Sequence, residues 1–505
     1  MGPVALLHGA LHVDPDPGPP MLNRHLLAYL PVYLAQALVG FGSVVVFTRL
    51  LTPDAYGQYM LVLTGSALIS TLIFTWLDAA VARYHARASA RGRLGGHLFT
   101  ALSLFAMIAA PVAIVGGVLL LVLDLSPALK TASAYALAYL LLRAGVMIAL
   151  ETRRAAGEAW RYSALETFSL AGGFAFGAAL TLFTDLGSAG PLAGLALASG
   201  LALVFDLPAL ARKAKRDRAQ SARIFAFFAY GGPIAFSLIF EQLLTSGDRF
   251  LIAAYLGEAA TGAYAAGYAL ADRSLSIVFL WLGMTTGPLL IAALEHDGRK
   301  AAQDVARRTG ALMGAIGFPA AAGLALVSPD LARLMIGEEL ADSAASIVPL
   351  IALSGLMNGI MTHYFHTAYT LGRRTGSMAF IMTGSAVLNL VLNAVLIPLL
   401  GLYGAAWATV AAYAIALVAC ALHGRSIFPM PIPVREWSKA ALATAVMAVA
   451  LVYAPSTGLV ITDLVLHVSL GAVSYAVILL ALDGLGARRW LATTIATRLG
   501  RRAAA

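Results

Sequence analysis

The sequence predicts an all-α polytopic membrane protein of about fourteen transmembrane helices, and three observations carry that expectation. Of the 505 residues, 60% are hydrophobic and only 12% charged, with a mean hydropathy of +0.83, whereas about a quarter of the residues in a soluble domain are charged. Apolar runs long enough to cross a bilayer core about 30 Å thick recur from Leu26 almost to the C-terminus. Lysine and arginine gather in every second connection between those runs.

The runs read as spans at roughly 26–49, 58–83, 96–123, 131–151, 162–184, 189–211, 224–247, 260–293, 309–328, 345–371, 379–399, 402–424, 439–458 and 463–486. With a cytoplasmic N-terminus, the inner segments hold Arg24, four arginines in RYHARASARGR, three in TRRAAGEAWR and six basic residues in RKAKRDRAQSAR. Four more lie around GRKAAQDVARR, followed by Arg373, Arg374, Arg425, Arg435, Lys439 and five arginines in the tail. The outer segments hold only Arg49, Lys130, Arg249 and Arg333. Fourteen spans with both termini in the cytoplasm follow from this asymmetry. The net charge of +9 therefore reports topology and contact with an anionic inner leaflet, and predicts no nucleic-acid partner. Residues 1–20 lack the basic start and long apolar core of a signal peptide. They read either as a disordered tail or as lying ahead of a natural start at Met21. The lone Cys420, inside an apolar run, excludes an intramolecular disulfide and reads as a small packing residue. The longest outer connection, PDLARLMIGEELADSA, has room for an amphipathic turn or two.

An internal repeat organises these spans. VFTRLLTPDAYGQY at Val46–Tyr59 is echoed by GDRFLIAAYLGEAATGAY at Gly247–Tyr264, with Pro31 upstream of the first and Pro233 upstream of the second. Gly57-Gln58-Tyr59 matches Gly262-Ala263-Tyr264, and the hairpin through Gly187 and Gly190 matches that through Gly401 and Gly404. Spans 1–6 and 7–12 thus form two pseudo-symmetric six-helix bundles, with two C-terminal helices added. The expected division is an N-lobe at 21–211, a basic cytoplasmic linker at 212–223, a C-lobe at 224–424, and the last two spans with a basic cytoplasmic tail at 425–505. A proline inside a span removes a backbone hydrogen bond and kinks the helix. Pro31 and Pro233 therefore mark spans 1 and 7 either as bending elements or as plain packing kinks.

TRLLTPDAYGQY, GDRFLIAAYLGEAATGAYAAGYAL, MIGEELADSAASIVPLIAL and LNLVLNAVLIPLLGLYGAAWAT resemble the polysaccharide, or O-antigen type, flippases. These belong to the multidrug/oligosaccharidyl-lipid/polysaccharide exporter superfamily, and the resemblance covers nearly the whole chain from Met21. It implies two bundles facing each other across a central cavity in a bacterial cytoplasmic (inner) membrane. It implies alternating access that moves an undecaprenyl-pyrophosphate-linked oligosaccharide from the inner to the outer leaflet for surface polysaccharide biosynthesis. The partners implied are that polyprenyl-pyrophosphate-linked glycan, membrane lipids, a polysaccharide polymerase and a chain-length regulator. No cofactor is expected, and protons or sodium are the candidate coupling ions.

Ionisable groups inside a bilayer are costly, so they mark cavities or partners. Arg273, near the middle of the long span 8, cannot easily snorkel to either surface. Its guanidinium fits the bidentate geometry of a pyrophosphate, the alternative being an interhelical pair with Glu166 or Glu241. Arg143 is a second candidate anion ligand, but Glu166 lies close enough across the hairpin to form a structural pair with it. Span 10 carries a polar stripe: Ser354, Gly355, Asn358, Gly359, Thr362, His363, His366, Thr367 and Thr370 recur at helical one-face spacing. Asn358, Thr362, His363, His366 and Tyr230 are candidate glycan contacts, and the alternative for the stripe is close helix packing. His363, His366 and Glu241 are the candidate proton carriers. Arg49, Asp248 and Arg249 end the proline-bearing spans and read as anchors or outer-gate residues, and no metal site is expected.

Four other readings compete, one of them a non-transporting scaffold, which would have no reason to maintain a polar stripe like that of span 10. A cation-coupled multidrug exporter of the same superfamily would normally place acids in the N-lobe cavity, and span 1 has none. A lipid II flippase shares the architecture and also favours a cationic cavity. A membrane glycosyltransferase or polymerase would need a substantial catalytic loop or paired acids, and the outer connections are short. A non-catalytic transporter is therefore expected.

Overall fold

The computed structural model describes residues 19–214, 221–486 and 488. The expectations for most of the first twenty residues, for the middle of the basic linker and for nearly all of the C-terminal tail lie outside these residues. The described chain is helical, and it divides into two compact units at Ala265–Ala266.

The first unit contains α1 (Pro19–Leu50), α2 (Pro53–Ile73), α3 (Thr75–Ala90), α4 (Leu94–Val122), α5 (Pro127–Ala155) and α6 (Ala159–Thr167). After a π-helical turn at Phe168–Gly172 come α7 (Gly173–Phe183), α8 (Ala189–Lys213), α9 (Ser221–Ser246) and α10 (Asp248–Leu256). The first turns of α11 (Glu258–His296) complete the unit. Thr-Pro and Ser-Pro pairs start two of these helices. Thr52 Oγ1 accepts from the Ala55 amide and Ser126 Oγ from the Leu129 amide, both at 3.3 Å, while Pro53 and Pro127 occupy the first helical position.

The core of this unit gathers Leu77 and Val81 from α3, Leu98 from α4, Ile148 from α5 and Phe227 from α9. That packing explains why the unit boundary lies beyond the expected linker. Phe227 stacks on Tyr84 at 5.6 Å with the ring planes 2° apart, and Phe228 meets Trp76 edge-on. Span 7 is thereby packed against α2 and α3. Opposite this core, α4 exposes Met107, Ile114 and Leu121, the surface a lipid-facing helix presents.

The second unit continues along α11 into α12 (Gly298–Leu326), α13 (Ser328–Met335) and α14 (Glu338–Ile360). A π-helical turn at Met361–Phe365 leads to α15 (His366–Leu371), α16 (Thr375–Leu400), α17 (Leu402–Ile427), α18 (Val434–Val452) and α19 (Val460–Ala481). The last two helices dock on α12 through aromatic donors. Trp437 Nε1 donates to the Gly310 carbonyl at 2.8 Å and the Tyr475 hydroxyl to that of Ala315 at 2.5 Å. Asn389 and Asn393 are buried in α16 and bond to each other within the helix, Nδ2 of Asn393 donating to Oδ1 of Asn389 at 3.0 Å.

Among the described residues, thirteen helices are long and apolar enough to cross a membrane. The expected span not among them is the thirteenth, α18, whose first turns carry Arg435, Glu436 and Lys439. It ends at Val452 and not at 458, because Ser456, Thr457 and Gly458 turn back onto Asp463. That carboxylate accepts from the Thr457 amide at 2.6 Å and from the Ser456 and Thr457 hydroxyls at 2.7 Å. Span 7 likewise breaks at Gly247, so Arg249 lies in the first turn of the separate helix α10, whereas Arg49 lies in the last turn of α1. Pro31 and Pro233 sit inside α1 and α9, but α4, α8, α11, α12, α14 and α16 also hold an internal proline. Proline alone therefore does not single out two bending helices.

Where α7 and α8 cross, a Cβ on Gly194 would lie 2.0 Å from the Gly177 amide nitrogen. No side chain fits between two backbones at that distance. Gly194→Leu is expected to abolish the monodisperse folded protein in fluorescence-detected size exclusion, while Leu197→Ala on the exposed face of α8 leaves the elution profile unchanged.

Candidate functional site

The two repeat motifs meet, and the meeting point is built from backbone outward. Within the first unit, the start of α2 crosses the start of α11 so closely that a Cβ on Gly57 would lie 1.8 Å from the Glu258 carbonyl oxygen. A Cβ on Gly262 would lie 2.8 Å from the Pro53 carbonyl oxygen. The glycines recognised as repeat markers are thus each other's contact surface. Polar groups close around them. Gln58 Nε2 donates to Glu258 Oε2 at 2.6 Å, and Ser188 Oγ donates to Gln58 Oε1 at 2.9 Å. Asp54 Oδ1 accepts from the Ala259 amide at 3.1 Å, which satisfies an otherwise open donor in the first turn of α11.

The gate residues expected from the sequence surround this latch with unequal roles. Arg249 Nη1 donates to Thr64 Oγ1 on α2 at 3.0 Å, and the buried Asp248 accepts from the Tyr264 hydroxyl at 2.5 Å. Arg49 Nη1 donates to the Val45 carbonyl on its own helix at 2.8 Å. Asp54, Gln58, Ser188 and Glu258 were missed as functional residues. Three of them stand inside the repeat motifs, and a signal was present: polar side chains in the first turns of two otherwise apolar helices.

A second polar layer in the same unit consists of ion pairs. Arg143 and Glu166 make a bidentate pair with both N–O distances 2.9 Å, the structural pairing left open by the sequence. Both terminal nitrogens of Arg143 are engaged, so its role as an anion ligand would require breaking that pair. Arg153, only 2% exposed, bridges Asp206 at 2.8 Å and Glu158 at 2.7 Å, tying α5 to α8 and to the turn before α6. Partial burial alone would raise the Glu158 carboxyl, but the hydrogen bond and charge of Arg153, with Lys213 beside it, hold it below the usual range. Arg154 pairs with Glu151 one turn away. Tyr230 stands in an aromatic and arginine group, edge-on to Tyr84 at 6.0 Å with the Arg83 guanidinium 5.7 Å from its ring centre. Glu241 is exposed on α9.

In the second unit, the π-helical turn changes the span 10 stripe. A π turn inserts an extra residue, so positions before and after it do not share the single face that regular 3.6-residue spacing predicts. Thr362 Oγ1 donates to Asn358 Oδ1 at 3.1 Å. His363 lies parallel to the Phe279 ring, centroids 6.4 Å apart, and His366 is buried one turn later. The stripe therefore divides into an Asn358–Thr362 pair and two histidines in packed surroundings. Arg273 is half-buried on α11, about 22 Å from its first residue at ~1.5 Å per residue. Asp272 is its neighbour in the chain.

A family described as polysaccharide biosynthesis protein matches residues 22–292, and the MatE family matches residues 233–395. Both matches take in the second repeat motif. Among solved structures, the lipid II flippase MurJ in an inward closed conformation is similar at 13% identity, with a TM-score of 0.74 over 91% of this chain and 99% of that one. An inward-facing multidrug resistance MATE transporter of the MOP superfamily is similar at 14% identity, with a TM-score of 0.55 over 84% and 98% of the two chains. An outward-facing one gives 15% identity and a TM-score of 0.52 over 80% and 94%. At such identities the likeness is one of fold. No curated protein sequence matches the chain.

Removing one member of a buried pair leaves an uncompensated charge, at a cost of about 3 kcal/mol. Arg143→Met alone is expected to lower the thermal unfolding midpoint, and the double change Arg143→Met with Glu166→Met to restore most of it. Equal midpoints for the single variant and the parent would show that the pair contributes nothing to stability.

Proposed function

Because the chain belongs to the polysaccharide biosynthesis protein family of the multidrug/oligosaccharidyl-lipid/polysaccharide exporter superfamily, we propose that it is a flippase for an undecaprenyl-pyrophosphate-linked oligosaccharide repeat unit. It carries that unit from the inner to the outer leaflet of a bacterial cytoplasmic membrane, with both its termini in the cytoplasm, and supplies surface polysaccharide biosynthesis. The polymerase and chain-length regulator of that pathway are its functional partners.

The observation that carries this reading is the latch between the two repeat motifs. Alternating access requires a contact that closes one end firmly yet opens with modest work. Gln58–Glu258, Ser188–Gln58, Asp54–Ala259 and Arg249–Thr64 are a few polar bonds set on glycine contacts. The neutral Ser188–Gln58 bond contributes a net of about 1 kcal/mol and the three to charged groups roughly 1.5–3 kcal/mol each, few enough to break in a cycle. The charge pattern puts this latch at the outer end. In the cycle, Arg273 holds the pyrophosphate, Asn358, Thr362, His363, His366 and Tyr230 contact sugars, and α1 and α9 flex about Pro31 and Pro233. Protons, carried by Glu241 or the two histidines, or sodium drive the return. The fold likeness to a lipid II flippase favours a second reading, in which the carried glycan is the peptidoglycan precursor.

Deleting the gene and identifying which surface glycan is lost decides between these readings. Loss of an O-antigen, capsule or exopolysaccharide supports the first, growth arrest from failed peptidoglycan synthesis supports the second, and drug sensitivity with intact glycans sinks both. Arg273→Ala is expected to fail to restore the glycan while Arg273→Lys restores part of it; full restoration by Ala removes Arg273 from the mechanism. Gln58→Cys with Glu258→Cys places two thiols at the latch, and the natural Cys420 is buried. Oxidation of this variant is expected to stop flipping and reduction to restore it, as read by lipid-linked glycan accessibility in vesicles.

A further inference from the structure

The arginines of the first inner connection do more than mark topology. Arg87 near the end of α3, Arg91 and Arg93 in the turn that follows, and Arg223 at the start of α9 line one cleft of about 420 Å3, within the usual volume range of ligand sites. Its apolar wall is the stacked pair Tyr84 and Phe227, and His97 lies at its base, bonded through Nε2 to the Val81 carbonyl at 3.3 Å. Arg223 is held toward the cleft by Thr100 Oγ1 at 3.3 Å.

Two features separate this cluster from an ordinary solvated basic loop. Elsewhere on the first unit Arg143, Arg153, Arg154 and Arg161 each have a carboxylate within ion-pair distance. Among the described residues, none of the four cleft arginines has one, and no carboxylate lines the cleft. The second feature is the start of α4. Arg93 is its N-cap residue and supplies no side-chain acceptor for the open amides of the first turn. A helix N-terminus carries partial positive charge, so cations gathered there repel it and each other. An anion in the cleft relieves both, and bidentate guanidinium geometry suits phosphate oxygens.

We propose that this cleft binds membrane-borne phosphate, supplied either by the diphosphate of a polyprenyl-linked substrate or by the headgroup of an anionic phospholipid. The cleft lies at the end that the charge pattern places against the inner leaflet, where both are present. Its aromatic wall offers apolar surface beside the cationic one, as a phosphate flanked by a sugar or an acyl chain requires. The diphosphate source rests on the flippase reading above; the phospholipid source does not.

The test uses the full purified chain in nanodiscs and native mass spectrometry, with undecaprenyl diphosphate and phosphatidylglycerol as separate probes. Arg91→Gln with Arg93→Gln, and Arg223→Gln alone, are expected to weaken binding about tenfold or more, since charge-assisted contacts to phosphate are lost. The Arg91→Lys, Arg93→Lys variant keeps the charge and is expected to retain most of the affinity, and Arg307→Gln, which removes an exposed arginine already paired with Asp304, all of it. A loss confined to the diphosphate lipid identifies the substrate as the ligand, and a loss confined to phosphatidylglycerol identifies the headgroup; either supports the site. Unchanged binding of both probes in the Gln variants overturns it. Failure of the flippase reading would instead show as intact surface glycans after gene deletion, an outcome independent of this binding measurement.

Discussion

The bilayer offers the backbone no hydrogen-bond partner, and the rest of this structure depends on that constraint. Every spanning segment must satisfy its amides internally, so the described chain crosses the membrane as helices. Polar side chains within those helices must then find partners on a neighbour or a cavity to occupy. In the first unit this produces two polar layers, the latch where α2 crosses α11 and the ion pairs that tie α5 to α6 and α8.

The two layers differ in strength, and that difference suits different tasks. Arg153 is almost fully enclosed between two carboxylates, and Arg143 uses both terminal nitrogens on one. Opening either would strand a charge in a poorly solvated place. The latch is composed of single hydrogen bonds on a glycine crossing, with Asp54 exposed at its edge. Rigid pairing within the unit and a releasable contact at its margin are the combination a gated transporter needs. The arginine cleft at the other end of α3 is a third arrangement, in which cations remain grouped without carboxylates.

Span 10 shows how local geometry redirects a sequence pattern. The spacing of Asn358, Thr362, His363 and His366 satisfies a regular helix, yet the π turn at Met361–Phe365 rotates the later residues away from the earlier ones. Phe279 packs flat on His363, the close packing that the sequence left open as the alternative for the stripe. π turns often occur at functional positions, and here the turn occupies the middle of the most polar span in the second unit.

By itself the sequence determined the membrane class, nearly every span, the repeat and the family resemblance. Those properties depend on hydropathy and charge summed over twenty residues or more, and such sums survive errors at single positions. It also placed Arg143 near Glu166, because one short hairpin joins their helices. Only the tertiary structure decided that Gly57 and Gly262 touch, that α9 packs with α2 and α3, and that Arg249 reaches Thr64. It alone brought Arg223 to Arg87, Arg91 and Arg93. Each of these is a contact between residues far apart in the chain, fixed by how helices cross, and hydropathy carries no information about crossing.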